Sequence, residues 1–191
     1  MKLPCWNPRE PSEADMRCSN VPRSKWNADL EQIREMPYYK CISEYISNLK
    51  DNCERGIGLL LTGPYRSGKS SIAALAVREM ARHRCTPYWL EAFELVDGWF
   101  EKENRYDMAR SSHLLVVDDL GMESEDENNV TRRSIIKQIL RYRLERERPV
   151  IITTNMSMKR ILEVYKEKMV TLLTEYMHLV VVEGKSWEGK I

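Results

Sequence analysis

Residues 56–71 read Gly56-Ile-Gly-Leu-Leu-Leu-Thr-Gly63-Pro64-Tyr65-Arg66-Ser67-Gly68-Lys69-Ser70-Ser71. The first part is a short apolar run, the composition of a strand covered on both faces. The second part, Gly63 to Ser70, fits G-x-x-x-x-G-K-[ST]. At ordinary residue frequencies a chain of this length shows that pattern by accident about one time in a hundred. The context narrows it further, because the pattern follows a strand and opens a helix, as its mechanism requires. The turn through Gly63, Pro64, Tyr65, Arg66, Ser67 and Gly68 can aim backbone N–H groups at phosphate oxygens. The helix opening near Gly68 adds its positive end. Lys69 is placed to bring a point charge to the terminal phosphates and Ser70 to offer a hydroxyl to magnesium, with Ser71 beside them. Arg66 stands where a further glycine is common, so a bulky cation either restricts the loop or itself touches phosphate.

A second apolar run, Leu114-Leu-Val-Val-Asp118-Asp119, ends in adjacent carboxylates. Buried unpaired charge is costly, so such a pair belongs at a strand end rather than in a core. Asp118 is the candidate metal carboxylate, acting with Ser70, and Asp119 the candidate to orient or deprotonate an attacking water. A third run, Val150-Ile-Ile-Thr-Thr154-Asn155, ends in small polar residues. Asn155 is the first choice, and Thr154 the second, for an amide or hydroxyl near the terminal phosphate. Further strands are expected at Thr86–Leu90 and Leu179–Val182. Helices are expected from the turn to about His83, over Glu91–Glu103 and Asn129–Glu147, and from Ser157 to about Met177. Short apolar strands separated by helices give an α/β domain with a mainly parallel sheet, whose ligands sit beyond the strands' carboxyl ends.

The 191 residues carry 30 Lys+Arg against 29 Asp+Glu, a net charge of +1 that excludes a basic nucleic-acid coat. No apolar run approaches the roughly 20 residues of a membrane span, and the first eleven residues do not read as a secretory signal. Five cysteines at irregular spacing with no C-x-x-C pair read as unpaired thiols, and a cytoplasmic protein is expected. The charge is nonetheless uneven. Residues 131–148 carry Arg132, Arg133, Lys137, Arg141, Arg143, Arg146 and Arg148 against two glutamates, a local net of +5 that follows an acidic stretch at 123–127. Such a patch could follow a phosphate backbone, and Phe93–Arg110, mixing Trp99, Phe100, Arg105, Tyr106 and Arg110, suits base stacking. Residues 1–27, rich in proline and without periodicity, read as a loosely packed arm. Leu30, Ile33 and Met36 continue it as a helix capped by Asn27 or Asp29.

Taken together these pieces resemble the AAA+ ATPases of the DnaC/DnaI-type replicative helicase-loader family and the related IstB-like transposition ATPases. The resemblance is carried by Asn20–Arg23, Gly63–Ser70, Leu114–Gly121, Arg141–Pro149, Thr153–Asn155 and Val182–Trp187. It implies a three-layer P-loop NTPase (AAA+/ASCE) fold, with a five-stranded sheet in order 5-1-4-3-2 and no C-terminal helical lid. Residues 1–50 would form an amino-terminal arm and helices open to a partner, and 51–191 the ATPase core. The implied cofactors are ATP and Mg2+. The implied partners are a replicative DNA helicase, single-stranded DNA and further copies of the chain, with no membrane. The function implied is helicase loading in DNA replication. Lack of appended domains would suit a phage or mobile-element loader. An IstB-like transposition helper and an ATP-controlled adaptor with little turnover are the alternatives. The last is motivated by Leu172, which occupies the position where the family carries its arginine finger. Lys168, four residues earlier, is the substitute cation. Without that arginine, weak hydrolysis is expected.

Overall fold

The computed structural model describes residues 9–101, 104–122 and 130–183. Their elements run α1 (Glu13–Cys18), α2 (Tyr39–Ser47), α3 (Leu49–Glu54), β1 (Gly58–Thr62), α4 (Lys69–Arg82), β2 (Pro87–Glu91), α5 (Ala92–Phe100) and α6 (Asn104–Ser111). After these come β3 (Leu114–Leu120), α7 (Val130–Leu144), β4 (Val150–Thr154), α8 (Met158–Tyr165), α9 (Glu167–Tyr176) and β5 (Met177–Val181). All five strands pair in parallel in the order β2-β3-β4-β1-β5. This is the expected 5-1-4-3-2 read from the opposite edge.

Strand parity explains why the runs are apolar throughout. Leu59, Leu61, Trp89, Leu114, Val116 and Ile151 face one side, packing with Ile72, Ala73, Ala76 and Val77 of α4. Leu60, Leu90, Leu115, Val117 and Ile152 face the other, packing with Leu95 of α5, Ile136 and Ile139 of α7, and Leu173 of α9. Each such side chain contributes about 1.5–3 kcal/mol relative to exposure, so two covered faces fix a three-layer sandwich. The alanines of α4 let it lie close to the sheet, which brings the helix start under the strand ends.

The amino-terminal segment departs from expectation. From residue 9 onward it is packed rather than loose: Met16, Val21, Ala28, Ile33 and Tyr38 are buried in the same cluster as α4. Ser12 and Asp15 close a capping box at the start of α1. The chain then runs along the free edge of β2, where Trp89 N donates to Ser19 O and Asn20 Nδ2 donates to Trp89 O, both at 2.9 Å. Asn20 sits at φ +57°, a left-handed conformation that asparagine tolerates better than most residues. Leu30–Ile33 is a short 3-10 turn rather than an α-helix, capped by Asp29 Oδ1, which accepts from Glu31 N.

The acidic stretch at 123–127, Lys102, and Gly184–Trp187 of the resemblance lie outside the described residues, as does the expectation of no lid after β5.

Candidate nucleotide-binding site

The carboxyl ends of β1, β3 and β4 meet at one edge of the sheet, and the glycine-rich turn leaves β1 there. Gly63 permits a close approach: a Cβ on it would lie 2.3 Å from Val182 O. Val182 N donates to Thr62 O at 2.7 Å, so the segment after β5 closes against the turn. Gly68, at φ +94°, opens α4 without a side-chain cap, so the first N–H groups of the helix lack helical partners. Arg66 adopts φ +60°, the left-handed conformation in which glycine is usual, at a cost of about 1–2 kcal/mol. Its guanidinium lies 5.8 Å from the exposed Tyr65 ring.

Lys69 is buried, and its Nζ donates to Gly63 O (3.0 Å), Pro64 O (2.7 Å), Ser67 Oγ (3.4 Å) and Asn155 Oδ1 (2.8 Å). Burial lowers its pKa, while the charges of Asp119 and Asp118 oppose the shift. One ammonium therefore ties the turn to the end of β4. Beside it, Ser70 Oγ donates to Asp118 Oδ1 at 3.0 Å, and Thr153 Oγ1 donates to the same oxygen. Burial raises the Asp118 pKa. The hydrogen bonds of Thr153 and Ser70 and the charge of Lys25 counter it, and the charge of Asp119 adds to it.

Asp119 occupies a bulge. Val117 pairs with Ile152 and Leu120 with Thr154, so β3 carries one residue more than β4 between those pairs. Asp119 takes φ +53° there, its N–H donating to Thr153 Oγ1 at 2.9 Å. The bulge breaks the alternation by which consecutive residues would face opposite sides of the sheet. Thr154, the second choice for contact with phosphate, is wholly buried and engaged: its Oγ1 donates to Leu120 O and accepts from Met156 N. Asn155 is the residue of that strand end which reaches Lys69.

Two roles here were not legible in the sequence. Thr153, noted only as part of the Thr153–Asn155 motif, braces both Asp118 and Asp119. Glu91, at the end of β2, pairs in register with Asp118. Trp89 and Val116 lie on the α4 side, so alternation puts Glu91 and Asp118 on that side too. The Glu91 pKa is raised by burial and then by Glu94, Asp118 and Asp119. No cue short of the register could have revealed it.

Among the described residues no cluster of three His, Cys, Asp or Glu could form a protein-only metal centre. The Ser70 hydroxyl and Asp118 carboxylate instead fit a hard cation that takes its remaining oxygens from phosphate and water.

Comparison of the sequence with protein-family models and with curated proteins gives no match. Comparison of the structure does. The crystal structure of the DnaC helicase loader has a TM-score of 0.71 at 22% identity, covering 85% of this chain and 100% of that chain. The DnaI crystal structure gives 0.68 at 18% identity, covering 89% and 98%. The chain has the AAA+ fold of the helicase loaders. A third similar structure, the replication initiator DnaA bound to AMPPCP and single-stranded DNA, gives 0.66 at 18% identity, covering 86% of this chain and 51% of that one.

Other expected features fall unevenly. Leu172 is partly buried against the second cluster, while Lys168 is exposed on α9. Phe93, Trp99 and Phe100 of α5 are 42%, 40% and 49% exposed, and Trp99 and Phe100 meet edge to face. The basic stripe needs correction. Arg143 is fully buried, donating to the carbonyls of Ala109, Arg110, Ser112 and Pro149. Arg132 pairs with Asp97, and Arg141 with Glu145. Periodicity alone cannot distinguish a solvated arginine from one that caps buried carbonyls.

Proposed function

We propose that the protein binds ATP with magnesium, hydrolyses it slowly, assembles with further copies of itself and loads a replicative helicase onto single-stranded DNA. The observation that carries the reading is the junction of Lys69 with Asn155 and of Ser70 with Asp118, which draws three strand ends around the opening of α4. In this reading the turn 63–68 and the α4 N-terminus hold the phosphates, and Lys69 transfers its donors from loop carbonyls to phosphate oxygens. Ser70 and Asp118 hold the magnesium, which would offset the negative charge of the phosphates. Asp119 orients or deprotonates the water, and Asn155 fixes its position relative to the terminal phosphate. Exposed aromatics on α5 suit stacking on single-stranded bases. Residues 1–50 are the segment that meets the helicase in this reading, with 51–191 as the motor core. The likeness to the DnaC helicase loader, to DnaI and to a DnaA structure bound to AMPPCP and single-stranded DNA supports nucleotide binding and a role in replication. A cytoplasmic setting follows from the reading.

Leu172, apolar and half-buried where a cation would serve a neighbouring site, favours a second reading, an ATP-controlled adaptor with little turnover. Solution mass with ADP, with a non-hydrolysable ATP analogue, and with single-stranded DNA tests assembly. A chain monomeric in all three states overturns it. Phosphate release compared with Lys69→Ala separates the readings: turnover equal to that variant, with normal binding in the wild type, selects the adaptor.

A further inference from the structure

Arg110 and Arg148 lie just before β3 and β4, at the end of the sheet opposite the phosphate turn. One aromatic ring gathers cations there. The guanidinium carbons of Arg110 and Arg146 each lie 4.2 Å from the Tyr142 ring centroid. Arg148 Nη1 donates to Arg110 O at 2.7 Å, and Arg146 Nη1 to Tyr142 O at 3.3 Å. Beneath them the buried Arg143 fixes the backbone from which Arg110 and Arg148 project.

Among the described residues no carboxylate pairs with Arg110, Arg146 or Arg148, whereas Arg17, Arg34 and Arg141 each have one. Of the nearby acids, Glu145 holds Arg141 at 2.6 Å. Local potential is correspondingly positive. A hydrogen bond from Arg110, then the charges of Arg110, Arg146 and Arg148, hold the Tyr142 phenol below its ordinary range. Burial, then Arg148 and Arg143, do the same for His113.

We propose that this arginine cluster is a binding site for the phosphodiester backbone of a nucleic-acid strand, separate from the nucleotide site. Like charges held together without a counterion favour an anion that brings several charges at once. Guanidinium forks match phosphate oxygens, and stacking on Tyr142 with anchoring to carbonyls has already removed much of the arginines' rotamer freedom. Each retains donors beyond those used internally. A strand presents phosphates at regular spacing, which an acidic peptide does not. Tyr142 is held between cations rather than presented to bases, so the contact is independent of sequence.

The test is anisotropy of a labelled oligothymidine over a salt series, without nucleotide. Arg110→Gln/Arg146→Gln is compared with Arg17→Gln/Arg34→Gln, which removes the same charge elsewhere. The first variant is expected to bind at least tenfold more weakly at low salt. Its slope of log affinity against log salt should shrink by about 1.4, near 0.7 for each lost phosphate contact. The control should keep both values, and Lys69→Ala should bind as the wild type does, which separates this inference from the nucleotide reading. If the double variant melts early, Arg146→Gln alone, in the exposed turn after α7, should show half the slope change. Equal weakening in the two double variants, no binding by the wild type at low salt, or equal competition by polyglutamate would overturn the proposal.

Discussion

At Asp118 the proposed metal-binding role and stability pull in opposite directions. Its environment disfavours the charged form, since burial outweighs the hydroxyls of Ser70 and Thr153. An acid with a raised folded pKa penalises the fold at neutral pH, and the penalty fades as pH falls through that pKa. Asp118→Asn keeps an acceptor for both hydroxyls without the charge. It should melt no lower than the wild type at pH 7, and its advantage should shrink as pH falls, while the proposed magnesium-dependent turnover is lost. A thermal melt at several pH values checks the first part and phosphate release the second. Arg143 is the converse, a buried cation that the fold needs. Burial pulls its pKa down to about 9, which still leaves it charged at neutral pH. Arg143→Met strands the carbonyls of Ala109, Ser112 and Pro149. A cost of about 3–5 kcal/mol is expected, read as a melting point lower by roughly 10 °C.

At the scale of elements, legibility followed burial. The five strands could be read because both faces of each are covered, so their runs are apolar without alternation. The phosphate turn could be read because glycine is forced where Val182 O approaches Gly63. The β3 bulge could not, since Asp118-Asp119 reads equally well as a strand leaving the core. The packed arm was hidden for another reason: Met16, Val21, Ala28, Ile33 and Tyr38 are spaced too irregularly to form either period. A two-variant series isolates its contact with β2. Asn20→Gly keeps the left-handed backbone but loses the bond to Trp89 O, costing about 1 kcal/mol. Asn20→Val loses both and should cost about 2–3 kcal/mol. Denaturant midpoints compare the two, and equal losses would mean that the backbone conformation is immaterial.

For the whole molecule, one sheet joins the two helical layers, so a ligand at the strand ends should stabilise all of it. A magnesium–nucleotide analogue at about a hundred times its dissociation constant adds about 2.7 kcal/mol, or roughly 5–10 °C in melting temperature. Lys69→Ala should show almost none of that shift under the same conditions. The contact of Gly63 with Val182 also has a mechanical meaning. With backbone against backbone, no side chain is present to yield, and the hydrogen bond from Val182 to Thr62 makes the link stiff. A pull on the chain beyond Val182 would thus be transmitted straight to the turn at residues 63–68, as a taut cord transmits tension to the hook on which it hangs.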